Sequence, residues 1–240
     1  MKLSISSLFS RLPVMRKLLL GNNHLFAHKH NLDQFYIDFE ERFRGSENEI
    51  KDRLRVYLPY LGESPVLDLG SGRGELLQLV QEAGITGRGV DLNKHMVERA
   101  KGKGLDVVQA DIMEFVAKQP ADSFATVTAI HVVEHVPFED LFALSRECYR
   151  ILKPGGYLIF ETPNPENLIV GAHDFYQDPS HLHPLPPSLT EFLLQHHGFR
   201  KTIIQRFRPM RKELQSKDQL LTDTAQHLFG PADYAIIAQK

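Results

Sequence analysis

His131, Glu134 and His135 stand together in His131-Val132-Val133-Glu134-His135-Val136-Pro137, and further histidines lie in Asp178-Pro179-Ser180-His181-Leu182-His183-Pro184. Imidazole titrates near neutrality, so His135 or His181 can take a proton from a hydroxyl while Glu134 orients the ring. The same residue types ligate divalent metals, and His131, Glu134, His135 and His181 make such a set. A third use is structural, with Glu134 and His135 serving the hydrogen bonding of their own loop. The residues alone leave all three open.

A second concentration of chemistry lies upstream. Val66-Leu67-Asp68-Leu69 is a short apolar run leading into Gly70-Ser71-Gly72-Arg73-Gly74, and a helical pattern comes after it. Glycines let a ligand approach the backbone closely, and the first amides of a helix face it. Asp91 closes the next apolar run, where a carboxylate can receive two ribose hydroxyls. A dinucleotide fingerprint counted from Gly70 wants glycine at position 75, yet the residue is Glu75, whose charge would repel a pyrophosphate. A cofactor with a cationic sulfonium and no phosphate tolerates both Asp68 and Glu75. The loop therefore points to S-adenosyl-L-methionine. Methyl transfer from a sulfonium is an in-line displacement, which needs positioning and, for a hydroxyl acceptor, a base.

These groups must be held by an alternating scaffold. Apolar runs at Val66–Leu69, Gly89–Asp91, Asp106–Gln109, Phe124–Ile130 and Tyr157–Glu161 predict strands. Helical patterns occupy 74–83, 93–102, 111–118 and 138–151, which argues for a parallel sheet covered on both faces. Lys153-Pro154-Gly155-Gly156 is predicted as a sharp helix-to-strand turn. Phe199–Phe207 and Tyr234–Ala238 add two strands around a polar, helix-prone stretch at 210–229. Asp111 precedes a helix and has cap spacing. Ser46 and Glu49 have capping-box spacing, so a helix begins there with Ile50, Leu54, Tyr57 and Leu58 on one side.

The 240 residues, 42% hydrophobic, suffice for one sizeable core, and a net charge of −2 gives no broad basic footprint. Non-specific binding to duplex nucleic acid is therefore not expected. A single cysteine, Cys148, excludes an internal disulfide and a cysteine-based zinc site, and its amphipathic setting makes it a buried thiol. No run approaches the roughly 20 apolar residues that span a bilayer. Residues 1–32 hold Lys2, Arg11, Arg16, Lys17 and Lys29 among leucines and isoleucine, with no acidic residue. That segment reads as an amphipathic helix on an anionic membrane or a partner protein, or as a helix docked on its own domain. The organisation expected is a basic segment at 1–34, a helical cap at 35–62 and a main domain at 63–240. The main domain carries an insertion over the acceptor site at 163–198.

Val66 to Glu161 resembles the class I S-adenosylmethionine-dependent methyltransferases. The resemblance implies a Rossmann-like α/β fold, with a mostly parallel seven-stranded sheet, an antiparallel last strand and helices on both faces. It implies that Asp68, Gly70, Ser71, Gly72 and Gly74 form the cofactor loop. Asp91 becomes the ribose acid and Asp111, with Ile112, the adenine-side acid, while Leu92 and Met96 line the adenosine pocket and His131 adjoins the cofactor. Glu134, His135 and His181 are the expected catalytic residues. Tyr36, Arg42 and Arg44 suit a lid, the arginines clamping a carboxylate or lying on an exposed helix face.

Longer segments resemble bacterial polysaccharide methyltransferases that terminate O-antigen chains. These are Phe39 to Ser46, Arg53 to Pro59, His131 to Asp140, Glu161 to Asn167, Phe175 to His181 and Leu228 to Ala235. That resemblance implies O-methylation of a terminal sugar, or of a sugar phosphate, in cell-surface polysaccharide synthesis. A cytoplasmic enzyme is expected, peripheral at the inner membrane where residues 1–32 rest on it rather than on a partner or on their own domain. The chain ends at Lys240, leaving no room for a following kinase domain, so direct sugar methylation is preferred. Phe175 and Tyr176 would wall the acceptor. The alternatives are methylation of a small phenolic or quinone precursor, and a non-catalytic cofactor-binding subunit of a polysaccharide complex.

Overall fold

The computed structural model describes Arg42, Phe43 and residues 45–62, 64–209 and 218–240. The expected segment 1–34 and the first part of the cap, with Tyr36 and Arg44, lie outside the described residues. The chain divides into two compact units, Met1–Ser46 and Glu47–Lys240. The second unit holds the sheet.

Its seven strands are β1 (Val66–Leu69), β2 (Gly87–Asp91), β3 (Val107–Gln109), β4 (Phe124–Ile130), β5 (Leu152–Pro163), β6 (Arg200–Pro209) and β7 (Pro231–Gln239). They form one sheet in the order β3-β2-β1-β4-β5-β7-β6. The first five pair in parallel, and β7 runs antiparallel to both of its neighbours. The helices are α1 (Glu47–Leu54), α2 (Glu75–Glu82), α3 (Lys94–Gly102) and α4 (Ile112–Ala117), followed by α5 (Phe138–Ile151), α6 (Leu168–Ala172), α7 (Pro187–His196) and α8 (Gln219–Phe229). This is the Rossmann-like fold expected.

Every residue of β1 and of β4 is buried, as central strands covered on both faces must be. Side chains alternate across the sheet and build a core on each face, with a smaller cluster of Leu77, Val97, Ala100, Leu105 and Val107 beside them. Leu158, Phe160 and Ile236 face Leu141, Leu144 and Cys148 of α5 and Leu193 and Leu194 of α7. Ile159, Ala235 and Ile237 face Ile50 and Leu54 of α1, Tyr57 beyond it, and Leu76, Leu79 and Val80 of α2. Burial pushes the Cys148 thiol far up, so it is an inert core group.

The order of strands makes the cleft. The chain runs outward from β1 through β2 to β3, then returns to place β4 on the other side of β1. The connections after β1 and β4 leave in opposite directions, and the gap between them opens at the carboxyl ends of the strands. One expectation changes here. β5 already begins at Leu152, paired with Phe124, and regains register at Tyr157 opposite Thr126. Lys153 to Gly156 bulge out between these pairs, with Gly155 at φ +80°, so the predicted turn is a bulge within a strand. Residues 163–198, where an insertion is expected, hold α6, a 3-10 turn at Asp174–Gln177, a loop and α7.

Candidate active site

The glycine turn sits at the end of β1. Gly70, Gly72 and Gly74 have φ of +66°, +52° and +82°, angles that residues with a Cβ rarely adopt. Two of them are also required by neighbours. A Cβ on Gly70 would meet Val132 Cγ2 at 2.4 Å, and one on Gly74 would meet Leu105 Cδ1 at 2.4 Å. The Ser71 hydroxyl is buried without a hydrogen-bond partner among the described residues and faces Gly89 in β2. Its amide donates to the Val90 carbonyl at 3.1 Å and its carbonyl accepts from the Gly74 amide at 2.9 Å, so the backbone of Ser71 holds the turn itself together.

Asp68 is buried beneath the turn and accepts from Thr128 Oγ1 at 2.7 Å, bracing β1 against β4. Asp91 points back at the turn. Its Oδ2 accepts from the Gly72 amide and its Oδ1 from the Asn93 amide, each at 2.8 Å. Each carboxylate oxygen keeps a second lone pair, so the acid is oriented yet still able to accept hydroxyls. Asp111 caps α4, its Oδ1 receiving the amides of Met113 at 2.8 Å and Glu114 at 3.1 Å. Its Oδ2 has no partner among the described residues. Met96 is buried, Ile112 half-buried and Leu92 69% exposed, so of these three the Leu92 side chain stands farthest out in solvent.

Glu75 plays a different part from the one its charge implied. Its Oε1 lies 2.7 Å from Arg73 Nε, and both side chains are buried. The pair neutralises itself, so electrostatic repulsion of a pyrophosphate is not what sets this loop apart. Instead, position 75 carries a side chain where the dinucleotide turn wants none, and the loop's own cation is turned into the protein. Acceptor-only groups at the ends of β2 and β3, with no loop cation offered to a phosphate, fit S-adenosylmethionine.

On the β4 side the three expected catalytic residues come together. Glu134, His135 and His181 place ligand atoms within 4.8 Å of one another. Loop 178–183 reaches them because the Leu182 amide donates to the Glu134 carbonyl at 2.9 Å. Both rings are anchored from behind. His181 Nδ1 donates to the Phe175 carbonyl at 2.6 Å. Ser180 Oγ donates to Asp178 at 2.6 Å, so it accepts from His135 Nδ1 at 2.9 Å. In the neutral tautomer these bonds place the proton on Nδ1 and leave Nε2 as the accepting nitrogen, and His181 Nε2 faces Glu134 Oε1 at 4.0 Å. Burial, aided by His181, holds His135 below its ordinary value against the pull of Glu134 and Asp178, which keeps it neutral. Such a set can accept a proton or hold a divalent cation.

His131, at φ +54°, turns its ring towards carboxylates. Nδ1 lies 3.2 Å from Glu134, and Nε2 lies 3.2 Å from Glu161 and 3.9 Å from Asp233. Burial would depress this imidazole, but Asp233, Glu134 and Glu161 outweigh it and raise it to about 10. Burial would raise Glu134, but the His131 hydrogen bond and charge hold it below its ordinary value. Both His131 nitrogens are engaged, so any meeting with a cofactor is through the ring face.

Sequence reasoning does not pick out Glu161, Asp233, Tyr57, Ser180 or Asp178 as site residues. One signal is readable: Glu161 ends a parallel strand and Asp233 starts an antiparallel one, which brings both to the same sheet edge. Phe175 is buried behind His181, with ring centroids 4.6 Å apart, so it supports the loop and does not wall an acceptor. Tyr176 is 60% exposed.

A profile of the methyltransferase domain family matches residues 28–205. The structure of a SAM-dependent methyltransferase from Archaeoglobus fulgidus is 39% identical, covers 86% of this chain and all of that one, and superposes with a TM-score of 0.80. An S-adenosylmethionine-dependent methyltransferase from Mesorhizobium loti shares the fold at 22% identity and TM-score 0.62, covering 82% of this chain and 99% of its own. Among curated relatives, ubiquinone biosynthesis O-methyltransferase of Pseudomonas entomophila is 35% identical over 109 residues, 43% of this chain and 46% of that protein. The protein of the same name from Xanthomonas oryzae pv. oryzae is 38% identical over 109 residues, 43% of this chain and 45% of its own. The match thus spans about half the length of these relatives.

These names overturn the sugar-methylating reading: the relatives are O-methyltransferases of ubiquinone biosynthesis, and none of these matches supports the O-antigen resemblance. Part of one motif quoted for it lies at a structural joint. Asn164 and Asn167 bind the carbonyls of Pro231 and Gly230, so they record how α6 docks and not what an acceptor is. Across the described residues no helix is long and apolar enough to cross a membrane. The strand order, the glycine turn tied to Asp91, and the match over residues 28–205 agree: the chain belongs to the methyltransferase domain family and is an S-adenosylmethionine-dependent methyltransferase.

Proposed function

We propose that this enzyme methylates a hydroxyl of a small phenolic or quinone-precursor acceptor. The observation that carries it is the convergence of Glu134, His135 and His181 at the end of β4, a proton-accepting cluster beside the cofactor turn. The curated relatives, by their names, support the acceptor class.

When bound, S-adenosylmethionine supplies an electrophilic methyl group. Asp91 would hold its ribose hydroxyls, Asp111 and Ile112 its adenine side, and the backbone of Gly70–Gly74 its remainder, with Leu92 and Met96 flanking. Tyr36 and Arg44, expected to close over it, lie outside the described residues. His181 Nε2 receives the acceptor's hydroxyl proton, and Glu134 stabilises the imidazolium that results. His135, neutral and anchored by Ser180, orients the hydroxyl.

A second reading is favoured by one observation. Both histidines are anchored at Nδ1 by oxygens, and the cluster they form with the Glu134 carboxylate places its ligand atoms within 4.8 Å of one another, the arrangement in which outer partners orient metal ligands. A divalent cation held there would lower the hydroxyl's pKa directly.

Methyl transfer from labelled donor to catechols, phenols, quinols and oligosaccharides tests the proposal. Transfer to phenolic hydroxyls is expected. No transfer to any of them, while S-adenosylhomocysteine still binds, would sink it. Activity that survives EDTA unchanged removes the metal reading.

A further inference from the structure

Behind Glu134 stands a line of side chains that proton transfer does not itself require. His131 Nδ1 faces Glu134 Oε1 at 3.2 Å, and Nε2 faces Glu161 Oε1 at 3.2 Å. The other oxygen of Glu161 accepts from the hydroxyl of Tyr57, which is wholly buried in the 3-10 turn Arg55–Tyr60 after α1. Asp233 lies 3.9 Å from His131 Nε2, and Arg208 holds its second oxygen. These groups also place ligand atoms in metal-binding proximity. Here, however, Arg208 and His131 already supply the positive charge a metal would bring.

The line ends on one carboxylate. Glu134 is fully buried, its Oε2 accepts from Thr162 at 3.1 Å, and its Oε1 is shared between His131 and the facing His181. A planar ring held at both nitrogens has one orientation left. Its backbone is held too, the His131 amide donating to the Glu161 carbonyl at 2.8 Å.

We propose that Tyr57, Glu161 and His131 form a positioning relay that fixes the carboxylate of Glu134 against His181. A turn near the start of the sequence then sets the geometry of a cluster it does not touch. The importance of the relay rests on the catalytic reading of Glu134 and His181, but its first test does not need an acceptor.

Full-length protein with 13C-labelled glutamate carboxyls is compared as wild type, Tyr57→Phe and Glu161→Gln, with Glu134→Gln assigning the resonance. The Glu134 signal moves in both variants, although neither altered residue bonds to Glu134. A signal unmoved by both overturns the relay. Where Tyr57→Phe lowers the yield of folded protein, Glu161→Gln alone decides. With an acceptor in hand, Tyr57→Phe lowers kcat about 3–10-fold, the effect of one hydrogen bond, and leaves KM and S-adenosylhomocysteine affinity within about two-fold. Tyr57→Phe adds little on top of His131→Ala, because both cut one path; additive losses refute the relay. His131→Gln, which keeps one hydrogen bond, recovers part of the loss. If His131→Ala instead weakens cofactor affinity and spares kcat, His131 is a cofactor contact and the proposal fails.

Discussion

The amide of Gly72 donates to the carboxylate of Asp91 at 2.8 Å, tying the turn after β1 to the acid that ends β2. With the Asn93 amide on the other oxygen, the carboxylate is oriented before any ligand arrives, which lowers the cost of binding. Asp91→Ala removes this order together with the ribose contact proposed for Asp91. S-adenosylhomocysteine affinity should fall on the order of 100-fold, and Asp91→Asn, keeping one acceptor, about 10-fold. Calorimetry decides, and wild-type affinity in Asp91→Ala removes Asp91 from the cofactor site.

Gly70 and Gly104 separate two reasons for being glycine. Gly104 has φ +78° with nothing within 4 Å of an added Cβ, so Gly104→Ala should cost about 1–2 kcal/mol, from backbone angle alone. Gly70 has φ +66° and Val132 in the way, so Gly70→Ala should cost about 2–4 kcal/mol. Urea unfolding of the two variants should rank them in that order; equal costs would show that Val132 yields freely.

If His181 is the base, as proposed, His181→Ala should lower kcat about 100- to 10,000-fold and leave S-adenosylhomocysteine affinity near wild type. His135→Ala should cost less, since it removes an orienting group and leaves Nε2 of His181 facing Glu134. Full turnover in His181→Ala would remove the base assignment.

His131 gives the fold an alkaline limit. Its folded value of about 10 exceeds its ordinary 6.5, so its contribution is complete below about 6.5 and is lost as pH rises through about 10. Glu134 and Glu161 are held below their ordinary 4.5, so theirs is present above that value and lost as pH falls. The melting temperature should decline from pH 7 to pH 10. His131→Gln should flatten that alkaline limb, and an unchanged slope would show the stabilisation lies elsewhere.

Much of the scaffold is legible because each strand carries its own evidence. Val66–Leu69 and Phe124–Ile130 have the bounds their apolar runs predict, since fully buried parallel strands are unbroken apolar runs. Lys153 to Gly156 mislead because proline and glycine mark both turns and bulges, and only the pairing of Leu152 with Phe124 tells them apart. Glu75 misleads for a related reason. A charge read along a chain looks free, whereas Arg73, two residues away, cancels it once the loop folds.

The sequence by itself determined the sheet, the glycine turn and the cofactor, and it named Glu134, His135 and His181 as residues to be brought together. These depend on local pattern and on residue chemistry, which a linear string records. Tertiary structure alone decided which nitrogen of each histidine is free, that Phe175 is support, and that Tyr57, Glu161 and Asp233 surround His131. Those relations join β4, β5, β7 and a turn over 100 residues upstream of Glu161. They exist only because the strand order lays the antiparallel β7 beside β5 and brings their ends together.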